Sequence, residues 1–168
     1  SFDFRRVYTG FKDCGNASIG GSLLAVMNTA SEYGFGAIIA ALPGFAIISH
    51  ALGNTFTNPL VNGAVTTTVL AGVTGSASGG MSIALSAMAD QYNAAILAMG
   101  IPPEVMHRIV AMASGGMDTL PHNGAVITLL AVTGLTHKQS YKDIFAITII
   151  KTIAVFVAIA AFTWFGIV

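Results

Sequence analysis

Charge is what this sequence most lacks. From Tyr33 to Ala89 it has no Asp, Glu, Lys or Arg. Charged residues make up 8% of the chain and hydrophobic residues 54%, with a mean hydropathy of +0.76. A soluble domain carries about 25% charged residues. A soluble fold of this composition would have almost nothing to set against water. The chain is therefore expected to be an all-α membrane protein, a polytopic helical bundle. A crossing takes about 20 mostly apolar residues, so the uncharged stretch alone is long enough for two.

Other absences narrow the function. The net charge is zero and there are no basic runs, which argues against a nucleic-acid partner. Cys14 is the only cysteine, so no internal disulfide is possible. No Gly-Lys-Ser/Thr occurs, and Gly34-x-Gly36 lacks the remaining glycine of a dinucleotide fingerprint. His50, His107, His122 and His137 have no paired metal-ligand spacing. No enzyme, cofactor or metal site is expected. An intramembrane hydrolase using Ser76 or Ser78 with His122 is the weak alternative, because no Gly-x-Ser-x-Gly elbow is present. No signal peptide and no initiator Met open the chain, which reads as a piece of a longer protein.

What is present is a set of polar interruptions in apolar sequence. Residues 1–14 read as a hydrophilic loop, leaning cytoplasmic through Arg5, Arg6 and Lys12. Residues 15–168 read as one transmembrane domain. Asn28 to Gly36 interrupts the first apolar stretch and holds Glu32. It is either a surface turn with Glu32 in water or a hairpin tip with Glu32 as a proton-carrying acid. Pro59 and Ile101-Pro-Pro-Glu104 mark helix starts. Val73-Thr-Gly-Ser-Ala-Ser-Gly-Gly80 has no charge in or near it, which favours a re-entrant or unwound segment over a loop in water. Its N–H groups and the hydroxyls of Ser76 and Ser78, with Gly79 and Gly80, suit a carboxylate. Thr136 to Asp143 reads as a polar cytoplasmic loop. Ile144 to Val168 reads as the plainest transmembrane helix, with Lys151 snorkelling back to that loop and Trp164 at the far interface.

The central interruption is Ala113-Ser-Gly-Gly-Met-Asp-Thr-Leu-Pro-His-Asn-Gly-Ala-Val126. Ionisable groups at membrane depth default to a functional reading, and polar breaks in helices are how many secondary transporters build a site. A new helix is expected near Thr119-Leu-Pro121, capped by Asp118 or Thr119, its positive end favouring an anion. Thr119, His122 and Asn123 are candidate substrate ligands. Asp118 and His122 are candidate proton carriers: protonating either removes repulsion or adds attraction, so proton and anion would bind together. The bland alternatives are a cap for Asp118 and a structural hydrogen bond for His122.

These two motifs, with Gly134-Leu-Thr-His-Lys-Gln-Ser-Tyr141, resemble the gluconate permease (GntP) family over about Gly15 to the C-terminus. The resemblance implies a bacterial inner-membrane, multi-pass symporter taking up hydroxylated carboxylates with protons, built from inverted repeats with re-entrant hairpins. Leu120-Pro-His-Asn-Gly-Ala-Val126 looks more like the D-β-hydroxybutyrate permease type than the gluconate type. D-3-hydroxybutyrate is thus the first expectation and gluconate or another sugar acid the second. Family members are much longer, so the resemblance also implies a C-terminal half, completed by a missing N-terminal half or a partner chain, with a homo-oligomer open. A non-transporting membrane subunit is the alternative class.

Overall fold

The computed structural model describes residues 4–53 and 55–166, with the side chains of residues 4–9, 12, 32, 40 and 49 outside that description. Among the described residues the chain is all-helical: α1 (Phe4–Ala40), α2 (Pro43–Gly53), α3 (Pro59–Thr74), α4 (Ala77–Ala98), α5 (Pro103–Ser114), α6 (Gly124–Thr133) and α7 (His137–Phe165).

The bundle is built round α3. This helix has no charged residue and is buried on nearly all sides, from Leu60 to Thr74. A helix apolar all round belongs in an interior. Asn58 starts it, its side-chain oxygen accepting from the N–H groups of Leu60 at 2.9 Å and Val61 at 3.3 Å, with Pro59 at the first helical position. Gly75 ends it in the left-handed conformation, φ 66°.

Two helices flank α3 in opposite senses. α4 folds back antiparallel, so that Gly80 meets Ala71 and Tyr92 meets Asn62. α5 runs parallel to α3: Gly63 faces Met106 and Val110, and Thr68 donates to the Ala113 carbonyl at 3.0 Å. Leu60, Ala64, Met88, Tyr92, Ile96, Val105, Ile109, Val110, Val155 and Ile159 form the shared core.

Buried polar groups in this core are nearly all satisfied. Asn62 donates to the carbonyls of Leu52, Gly53 and Phe56 at 3.2, 2.7 and 3.2 Å. Its side-chain oxygen accepts from Thr66 and Tyr92 at 3.3 and 3.2 Å. Asn62 thereby ties the C-terminal end of α2 to the centre of the bundle. Thr67 Oγ1 is the exception among the described residues: it is fully buried and has no partner.

Three expectations about element boundaries are corrected. Residues 4–14 belong to α1 rather than to a loop, and residues 1–3 lie outside the described residues. No break occurs at Asn28–Gly36, because α1 continues to Ala40. Gly34 and Gly36 cost a helix only about 1 kcal/mol each, whereas Pro43 cannot continue one, and the chain bends by 75° there. Residues 137–143 are the first turns of α7: the Gln139 side chain reaches back to the Thr136 N–H at 2.9 Å and its hydroxyl at 2.8 Å. Thr-x-x-Gln is a helix-start signal, so a polar composition did not mean a loop.

α7 alone among the described residues is long and apolar enough to cross a membrane by itself, with a mean hydropathy of 2.5 over its most apolar 18 residues. Asp13–Ile39 with Pro43–Gly53 passes the same test as a bent pair, while α3 and α6 are shorter apolar helices. One face of α7 carries Ile147, Ile150, Ile153 and Val157, 52–65% exposed, as a lipid-facing stripe would be. Its other face points inward.

Candidate functional site

The two motifs singled out in the sequence meet at the end of α3. The first break is only two residues long, Gly75 and Ser76. Ser76 caps α4, its hydroxyl accepting from the Gly79 N–H at 3.2 Å and lying 3.4 Å from the Ser78 hydroxyl. A helix start leaves its first N–H groups without intrahelical partners. Ser76 takes that of Gly79 and leaves those of Ala77 and Ser78 for solvent or a ligand.

Beside this start lies a cavity of about 220 Å³. Ser76, Ser78, Gly79 and Ser82 line it from the break and α4, and Tyr33, Gly36 and Ala37 line it from α1. It is smaller than the about 300–1,000 Å³ common for drug-sized ligands, a scale that suits a small anion. Three of the expected ligands therefore share one cavity. The fourth, Gly80, does not line it. A Cβ there would sit 2.2 Å from the Ala71 backbone nitrogen, so Gly80 serves the close approach of α4 to α3.

The second break runs from Gly115 to Asn123, and side chains hold it at both ends. Toward α3, His122 Nε2 donates to the Gly72 carbonyl at 3.0 Å and Asn123 Nδ2 donates to the Gly75 carbonyl at 2.5 Å. These carbonyls belong to the last turn of α3 and its cap, where intrahelical donors have run out. Gly75 leaves room for this: a Cβ would come within 2.8 Å of the His122 ring.

Asn123 also starts α6, its side-chain oxygen accepting from Ala125 and Val126 N–H groups at 2.7 and 3.3 Å. The expected start at Thr119–Pro121 under an Asp118 or Thr119 cap is thus corrected. Asn123 has the better capping geometry, directly before the apolar run. Its amide is buried and committed at both ends, so in this conformation it organises the break rather than facing a ligand. On the far side of α6, the Asn28 amide donates to the Gly124 carbonyl and, at 2.5 Å, to Thr128 Oγ1.

Toward α7 the break meets a polar seam. Lys151 Nζ pairs with Asp118 Oδ1 at 2.6 Å, the two side chains being 33% and 24% exposed. The Thr119 and Thr148 hydroxyls are 2.6 Å apart. Tyr141 donates its hydroxyl to the Thr119 carbonyl at 3.4 Å, and His137 Nε2 donates to the Pro121 carbonyl at 3.0 Å. His137, Tyr141, Thr148 and Lys151 follow one another by 4, 7 and 3 residues, the spacing of one helix face. Val155 and Ile159 continue that face into the core.

Lys151 was expected to snorkel toward residues 136–143; a carboxylate within reach holds it at mid-helix instead. Sequence reasoning missed it as a site residue, and the 137/141/148/151 spacing was the signal that could have found it. Asp118 and Thr119 thus lie on the seam, Ser76, Ser78 and Gly79 on the cavity, and His122 and Asn123 join the two breaks. The side chain of Glu32 lies outside the described residues. Among the described residues, no cluster of three His, Cys, Asp or Glu suited to a metal is found.

Apolar composition, an apolar spanning-length helix and an outward apolar face define an α-helical membrane protein whose helices are interrupted by interlocked polar breaks. The chain is similar to a protein of Bacillus subtilis (strain 168) named "Uncharacterized transporter YxjC", 70% identical over 167 residues, which is 99% of this chain and 35% of that protein. It therefore spans about a third of the length of the curated relative it matches. No family model matches the sequence, and no solved structure matches it.

Proposed function

We propose that the chain is part of a secondary active transporter that takes up a small hydroxy-monocarboxylate, such as D-3-hydroxybutyrate, together with protons. The observation that carries this reading is the serine-lined cavity at the start of α4, next to a break that is itself tied to an ion pair. The positive end of a helix favours a carboxylate by about 0.3–1 kcal/mol when exposed and up to about 2 kcal/mol when partly buried. Ser76, Ser78 and Gly79 hold the anion. Asp118 carries the proton, with His122 and Glu32 as the further proton carriers of this reading.

A relative named a transporter supports the class. The resemblance to gluconate permeases supports proton coupling and the substrate class. In this reading the fold is polytopic, with re-entrant helices, in a bacterial inner membrane. A further repeat supplied by the rest of a longer chain or a partner completes the site. Sugar acids such as gluconate are the alternative substrate.

The test is uptake of labelled D-3-hydroxybutyrate by proteoliposomes holding the full-length protein under an inward proton gradient, with excess unlabelled gluconate as competitor. Accumulation that collapses with an uncoupler and resists gluconate is the expected result. Strong competition by gluconate moves the substrate to sugar acids. No gradient-dependent uptake of either anion contradicts the proposal.

A further inference from the structure

Lys151 lies about 21 Å along α7 from its first residue, near the middle of a helix about 43 Å long. It is also seven residues inside the apolar part of the helix, which begins at Ile144. An ammonium within an apolar span is costly in a membrane, so such groups pair or line polar cavities. Here the partner is the carboxylate of the central break, 2.6 Å away. Among the described residues, other titratable groups facing this segment are few. α7 presents His137 and Tyr141 besides Lys151, and the segment itself presents His122. α3 and α6 have no ionisable residue, and those of α5, Glu104, His107 and Arg108, cluster away from its Ser114 end.

The pair is also mechanically connected to the cavity. Asp118 and Thr119 hold the segment to α7, while His122 and Asn123 hold it to the Gly72 and Gly75 carbonyls, one residue from Ser76. Loosening one end of so short a segment bears on the other.

We infer that Lys151 is the switchable counter-charge of the transporter: it pairs with Asp118 in the empty protein and, once Asp118 is protonated, its charge balances that of the substrate anion in the loaded one. This rests on the proton-coupled reading above. A proton from solution forms an O–H bond on the Asp118 carboxylate, and the Lys151 N–H donor is released from it. Nothing is oxidised or reduced. The empty site holds one negative and one positive charge. The loaded site holds neutral Asp118, the Lys151 cation and one substrate anion. Both sum to zero, so one proton enters per anion and both forms cross without net charge.

The experiment uses the full-length protein in proteoliposomes with labelled D-3-hydroxybutyrate and labelled gluconate. A pH gradient is expected to drive accumulation, and a valinomycin–potassium potential of either sign is expected to change it little. Asp118→Asn loses accumulation, and its exchange of internal for external substrate becomes independent of pH. Lys151→Arg, which keeps the cation, retains more coupled uptake than Lys151→Met, which removes it. The double variant Asp118→Asn/Lys151→Met restores neutrality without the cation, and its exchange falls at least about tenfold below that of Asp118→Asn. Recovery of exchange in the double variant would show that Lys151 only balances Asp118, and overturns the inference. So does accumulation driven as strongly by potential as by pH. Failure of the unaltered protein to accumulate either anion under a pH gradient instead overturns the proton-coupled reading beneath it, and the inference falls with it.

Discussion

Replacing Gly80 by alanine adds one methyl group where α3 and α4 touch. The new Cβ would lie 2.2, 2.3 and 2.8 Å from the nitrogen, Cα and Cβ of Ala71. Two of those atoms are backbone of the most buried helix, so no flexible side chain can swing aside, and the helices must part by about 1 Å or more to reach ordinary contact distance. Overpacking of this kind costs about 1–3 kcal/mol, with the upper end apt for a backbone clash. The better helix propensity of alanine returns up to about 1 kcal/mol. The net expectation is a loss of about 2 kcal/mol. Gly21 supplies the control: it is also inside a helix, α1, but a Cβ there meets nothing within 4 Å. Gly21→Ala should therefore gain up to about 1 kcal/mol. Unfolding in mixed micelles by titration with sodium dodecyl sulfate, followed by circular dichroism, reads the difference. Equal stability of the two variants would refute the close α3–α4 approach on which the Ser76 cap depends.

Two further substitutions probe the interior in the same assay. Thr67→Val keeps shape while removing a buried hydroxyl that has no partner, so it should raise stability by about 1 kcal/mol; a loss of similar size would show a hydrogen bond at that site. Asn123→Ala removes the α6 cap and the donor to the Gly75 carbonyl, and should cost about 2–4 kcal/mol, whereas Asn123→Asp keeps the cap oxygen and should cost less. Identical losses for the two Asn123 variants would refute the separate role of the amide donor.

Much of this architecture is legible in the sequence, though unevenly. Pro59 and Pro103 stand at helix starts because a missing N–H costs nothing there, and both mark the starts of observed helices. The breaks at Gly75–Ser76 and residues 115–123 announce themselves by polar and glycine content amid apolar residues. Their lengths do not. Gly79 and Gly80 read as loop but lie in the first turn of α4, since Ser76 caps the helix and close packing needs Gly80.

Polarity alone misled at Asn28–Gly36, where long-range contacts to α6 and α3 use the polar and small residues of an unbroken helix. The same holds at 137–143, where polar side chains face the central segment. What composition cannot carry is partnership across the chain. Asp118 and Lys151 are 33 residues apart, and His122 and Gly72 are 50 apart. Only a helical reading of the 137, 141, 148 and 151 positions hints that one face of α7 is polar for a reason.

The measurement that bears most directly on the proposed substrate site is protection at Ser78, which is exposed and lines the cavity. Ser78→Cys, in the full-length protein with its other cysteines replaced, would be labelled with a membrane-permeant maleimide in proteoliposomes. Gly44→Cys, on the exposed turn into α2, serves as the reference. The account predicts that D-3-hydroxybutyrate slows labelling at position 78 in a saturable, dose-dependent manner and leaves position 44 unaffected. Labelling at position 78 that is indifferent to both D-3-hydroxybutyrate and gluconate would contradict a carboxylate site at the start of α4.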